Sequence, residues 1–111
     1  MTSIELLFWL VAGHFIVDCV LQGPELAKGK NRHIERVSPR MPPWPYWLFA
    51  HGVTHGAFVA FITGCVWLGI LETLMHCYID FCKCEKWIGP HTDQWLHLYC
   101  KLGYWMFVLL L

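Results

Sequence analysis

Five histidines and three aspartates fall into four pairs, each spaced four residues apart: His14/Asp18, His51/His55, His76/Asp80 and Asp93/His97. Residues four apart lie one above the other on a helix face, so each pair offers two metal-ligating side chains to one side of its element. Imidazole nitrogen with carboxylate oxygen is a donor set for zinc, and also for manganese or iron. Eight donors are enough for two ions with four each, so the expected cofactor is a pair of divalent ions, zinc first. Taken singly, an apolar-face histidine also serves as a hydrogen-bonded packing residue, and an aspartate near a helix end as a cap. Four pairs at one level point instead to a functional layer.

The elements that would hold them follow from the stretch His51–Asp80, in which Gly64 and Gly69 interrupt about twenty mostly apolar residues. A helix–helix turn near Cys65 and Val66 brings His51/His55 and His76/Asp80 to the same height on antiparallel helices. Apolar segments at 4–21, 46–63, 66–81 and 93–111 give four helices, separated by polar loops at 23–45 and 82–91. All four pairs lie at the loop-bearing ends, so an up-down bundle collects them in one layer. Pro39 to Pro45 is too proline-rich for a regular helix.

Composition suggests where such a bundle resides. Hydrophobic residues make up 57% and charged residues 14%, against about 45–50% and 25% in ordinary globular chains. The last eight residues, YWMFVLLL, show no polar face of the kind a bundle helix in water needs. The expected fold is therefore all-α, an integral membrane up-down four-helix bundle forming a single domain over 1–111. Seven of the eight Lys and Arg lie in the two loops. The positive-inside rule then places the loops in the cytoplasm and both termini outside a bacterial inner membrane. Trp44, Tyr46 and Trp47 read as an interfacial anchor. The first ten residues have no basic region before the apolar run, so no signal peptide is expected. Zero formal net charge gives no basic field for nucleic acid. The six cysteines sit mostly in apolar segments and read as reduced thiols.

Helical spacing extends each ligand column. Gln22 lies four after Asp18, Glu72 four before His76, and Lys101 four after His97. Glu72 and Lys101 fall at similar depth, either as a neutralising ion pair or with Lys101 holding an anionic substrate. Glu72 also suits an acceptor that orients His76. Cys82-x-Cys84 with His91 is a weaker, separate zinc pattern.

The segments GHFIVDCVLQ, a lysine soon after it (Lys28 or Lys30), HGVTH, HCYID and DQWLH occur in that order. This pattern resembles the small phage and bacterial membrane proteins called domain of unknown function 3307, over nearly the whole chain. The resemblance implies a four-helix membrane protein with shared polar positions at His14, Asp18, Gln22, His51, His55, His76, Asp80, Asp93, Gln94 and His97. It implies no particular activity. The functional expectation is a membrane-embedded, metal-dependent hydrolase cleaving a phosphoester of a lipid head group or nucleotide at the cytoplasmic face. Asp93 is the candidate general base and Lys101 the candidate anion holder. Rival expectations are a metal-stapled membrane protein without activity, a small phage membrane effector, and an oligomeric transporter of metal ions or protons. Expected partners are membrane lipid, an amphiphilic or nucleotide phosphoester, and further copies of the chain.

Overall fold

Thr2 starts the first helix with a reciprocal cap: its hydroxyl accepts from the Glu5 amide at 3.2 Å, and its own amide donates to the Glu5 carboxylate at 2.8 Å. The computed structural model describes residues 1–36 and 38–111; Val37, in the loop 23–45, lies outside them. Helix α1 runs over Ser3–Phe15 and passes into a π-helical turn, Ile16–Val20. There the Leu21 amide donates to the Ile16 carbonyl at 2.8 Å. The short helix α2 covers Pro24–Gly29, α3 Trp44–Thr63, α4 Val66–Cys84 and α5 Pro90–Leu110. Helices α2, α3 and α5 each carry proline in the first helical turn, where its missing amide costs nothing.

The turn between α3 and α4 is made at Gly64, whose φ of 71° is the left-handed conformation that glycine adopts without strain. Gly69 is not part of the turn. It lies inside α4 against α3, where a Cβ would stand 2.6 Å from the Gly56 carbonyl oxygen. The two glycines let the backbones of α3 and α4 meet. Helix α3 packs on α4 and α1, and α5 packs on α1 and α4, so the four long helices close into a ring. The Trp105 indole donates to the Ser3 carbonyl at 2.8 Å, which ties the end of α5 to the start of α1. Helix α2 lies outside the ring on α3, with Gly29 flat against the Trp47 indole.

The interior has two storeys. Leu6, Leu10, Val59, Leu68 and Tyr104 form an apolar cluster toward the α3–α4 turn, with Ile62, Cys65, Cys100, Trp105 and Val108 against it. The other end is polar. Among the described residues, of the largest side chains less than 2% exposed only Leu10 and Val17 are apolar; the rest are five histidines, Glu72, Asp80, Asp93 and Lys101.

Among the described residues the chain is all-α with five α-helices, and this corrects the expectation of a four-span integral membrane bundle. Among the described residues only Ser3–Val20 is long and apolar enough to cross a membrane, with a mean hydropathy of 1.7, and a third of that stretch is buried inside the fold. Helices α3, α4 and α5 have the length, with 20, 19 and 21 residues. Their His, Asp, Glu and Lys columns dilute the apolar run that a span requires. The radius of gyration is 14.4 Å, near the ~13 Å of a folded chain of this length. The inner-membrane placement falls with the four spans. So do the membrane-embedded phosphoester hydrolase, the phage membrane effector and the transporter, each of which needed that bundle. The 57% hydrophobic composition misled because it sums apolar residues over the whole chain, whereas a span needs them in one unbroken run, and among the described residues only Ser3–Val20 supplies one.

Candidate metal centre

The π-helical turn shapes the first part of the centre. One extra residue in the turn re-aims Asp18 relative to His14, and such turns recur at functional sites. Asp18 Oδ1 lies 3.0 Å from His51 Nε2, 3.4 Å from His55 Nε2 and 3.6 Å from His76 Nε2. Four potential donor atoms from Asp18, His51, His55 and His76 fall within 4.8 Å of one another, all buried. His51 and His55 come from α3, held against α4 by the Gly56–Gly69 contact, and His76 comes from α4.

A second convergence lies where α4 meets the start of α5. His97 Nε2 is 3.2 Å from Asp93 Oδ1 and 3.4 Å from Asp80 Oδ1. These three atoms are buried, yet none has a hydrogen-bond partner. His55 Nε2 and His76 Nε2 in the first group are likewise unpartnered. Buried polar atoms are nearly always satisfied, so convergent donors without partners mark a place suited to a cation. Asp80 faces both groups. Its Oδ1 looks toward His97, while its Oδ2 is 3.5 Å from His51 Nε2 and 3.6 Å from His76 Nε2.

A third set, Glu72, His76 and His97, is also close enough to hold an ion. Glu72 is already engaged there: Lys101 donates to its Oε1, and His76 Nδ1 lies 3.3 Å from the same atom. With Nδ1 turned to Glu72, Nε2 of His76 is free to face the first group, as in carboxylate–histidine–metal arrangements.

Gln94 joins the two groups. Its amide nitrogen donates to Asp18 Oδ2 at 2.8 Å and to Asp93 Oδ2 at 3.1 Å. Its oxygen pairs with His14 Nε2 at 3.0 Å. His14 is thus in the layer, buried beside His55 and His97, but it braces Gln94 and belongs to none of the three ligand groups. Gln22 accepts from Lys30 at 2.6 Å.

Two lysines reach the centre that the four-residue columns do not include, although the resemblance pattern includes Lys28 or Lys30. Lys30, just after α2, is 3% exposed and donates to Asp80 Oδ2 at 2.7 Å. Lys83 Nζ lies 3.5 Å from Asp93 Oδ2 and 3.7 Å from Asp80 Oδ1. Lys83 is one turn from Asp80, so helical spacing was a usable signal for it. No periodicity links Lys30 to the centre, because α2 and a turn of irregular chain intervene. Arg32 and His33 pair with Glu85, and the Arg32 guanidinium lies over the Phe81 ring, pinning this loop to the end of α4. Cys82 and Cys84 are buried free thiols and His91 is exposed, and no ligand group forms there among the described residues.

Burial holds three of the imidazoles in the form that ligates, while the carboxylates around a fourth leave it protonated. Burial, reinforced by Lys101, pushes His14 down to about 4. Burial pushes His55 down to about 3 against the pull of Asp18, and it lowers His51 as well. These rings are neutral at pH 7, the form that ligates. Burial raises Asp18 and Asp80, but the imidazoles around them more than reverse it, and both stay ionised. His76 goes the other way: burial lowers it, but Asp18, Asp80 and Glu72 outweigh that and raise it to about 10. The ring between three carboxylates takes up a proton because its surroundings call for positive charge. His76 stacks between His55 and His97, with centroids 3.6 Å and 4.0 Å away.

Comparison with protein families, curated proteins and solved structures gives no match. The resemblance to domain of unknown function 3307 stays an expectation. That geometry is a buried cluster of His, Asp and Glu side chains able to coordinate metal.

Proposed function

We propose that this chain is a metalloprotein with two divalent ions in its polar storey, one held in a closed site and one in an open site. The observation that carries this reading is Asp80, whose two oxygens face two separate donor groups. Asp18, His51, His55 and His76 supply three nitrogens and one oxygen, the full tetrahedral set of a structural zinc site. Asp80, Asp93 and His97 supply three donors, the number that leaves a position for water or an exogenous ligand. An ion there would lower the pKa of a bound water, so the open site is where a metal-dependent reaction would occur. In this reading Asp93 is a ligand rather than a free general base. The proposed ions are zinc, with manganese or iron also suited to the oxygen-richer open site.

The test is elemental analysis after equilibration with zinc and removal of loose metal. Two ions per chain are expected. Asp93→Ala should leave one and His55→Ala should lose the closed-site ion, while His33→Ala should leave both. Metal-free protein from a folded preparation that does not take up zinc would overturn the proposal.

A further inference from the structure

Three ammonium groups touch the carboxylates of a centre proposed to hold cations. Lys101 lies on Glu72, Lys30 on Asp80, and Lys83 between Asp80 and Asp93. Lys101 and Lys30 are sealed in, with side chains 1% and 2% exposed, whereas Lys83 is 27% exposed. Lys83 therefore marks where the centre reaches solvent. It does so beside the group with only three protein donors.

Charge balance makes that placement informative. In the metal-loaded form, where every ligating imidazole is neutral, Asp18, Glu72, Asp80 and Asp93 against Lys30, Lys83 and Lys101 leave one negative charge before the ions are counted. Two divalent ions would change this to three positive charges in a site with little water to screen them. A centre built only to store metal would have no use for ammonium groups among its ligands. A centre built to receive an anion would, because the metal and the ammonium can then share its oxygens.

We propose that the open side of the centre is an oxyanion site. A phosphate-type group would place one oxygen on the ion held by Asp80, Asp93 and His97 and another on the Lys83 ammonium, with Lys30 adding positive potential from behind Asp80. This rests on the two-ion reading. A dianion offsets the excess charge better than a monocarboxylate, so phosphate should bind more tightly than acetate. The chemistry is the same for free phosphate and for a phosphate group on a larger molecule.

The test uses the full chain loaded with cobalt, whose visible bands report on coordination. Metal content is measured first, so absence of a second ion would overturn the two-ion reading before any anion is added. With two ions present, inorganic phosphate should shift the cobalt bands saturably and bind at least tenfold more tightly than acetate. Lys83→Gln should weaken phosphate binding by about tenfold with metal content unchanged, and Lys83→Arg should restore most of it. Phenyl phosphate, titrated in parallel, separates the sources: binding as tight as inorganic phosphate favours an esterified group, and much weaker binding favours the free ion. Two outcomes would overturn the oxyanion site while leaving the two ions intact. One is phosphate affinity unchanged in Lys83→Gln. The other is equal binding of phosphate to protein with and without metal.

Discussion

Glu72 acts at the boundary between the two storeys. Its carboxylate takes the His76 Nδ1 side and the Lys101 ammonium together; burial raises its value, but His76 and Lys101 outweigh that and hold it ionised at about 2. Its expected part is to turn His76 Nε2 toward Asp18. Losing such an orienting carboxylate costs roughly 10–100-fold in metal affinity. The pair should be changed together, since a lone buried Lys101 would destabilise the fold. The double variant Glu72→Gln/Lys101→Met should keep two ions but bind zinc more weakly by that factor, as read by competition with a chelating dye. Unchanged affinity would make the pair a neutral packing element only. His14→Ala should also retain both ions, because its ring braces Gln94 instead of joining a ligand group.

At the scale of the elements, α3 and α4 form the rigid half of the centre. A Cβ on Gly56 would run into the Thr73 side chain and the Gly69 carbonyl, and backbone cannot swing aside as a flexible side chain can. Gly56→Ala should therefore cost about 1–3 kcal/mol, the range for overpacking a tight contact, and lower the melting temperature by several degrees. It should also loosen zinc, since Gly56 adjoins His55. The loop after α2 is held by Arg32 and His33 on Glu85. Arg32 holds the Glu85 carboxyl down at about 2, below its ordinary 4.5. Its contribution is therefore present above the ordinary value and is lost as pH falls through the folded one. The melting-temperature gap between wild type and Glu85→Gln should be constant above pH 5 and close between about pH 4.5 and 2. A gap that persists at pH 2 would mean the clamp is not ionic.

At the scale of the whole molecule, one storey is a small apolar cluster and the other is a set of charged and polar groups able to coordinate metal. An apolar cluster of five buried residues is slight, even with the other buried apolar side chains among the described residues, and ligands that bind only the folded state add stability by mass action, about 4 kcal/mol at a thousand times Kd. Removing metal with a chelator should lower the melting temperature by roughly 15 °C or more, and zinc should restore it. Metal-free protein that melts at the same temperature as loaded protein would show that the bundle stands without ions.

Spacing alone was enough to place His14/Asp18, His51/His55, His76/Asp80 and Asp93/His97 in one layer, because a helix repeats every 3.6 residues and the Gly64 turn sets the height of one helix against the next. The depth of Glu72 and Lys101 was legible for the same reason. Composition carried less, since it counts apolar residues without saying which way they face. Nor does it ask for the unbroken runs that a span needs, and among the described residues only Ser3–Val20 has one, which removed the four-span reading. Contacts between elements were equally out of reach. The π-helical turn sets the aim of Asp18, and Gln94 reaches it from the neighbouring α5. Lys30 arrives on Asp80 from fifty residues away. No local periodicity encodes such meetings, because they depend on how α2 and its loop dock on the helices already formed.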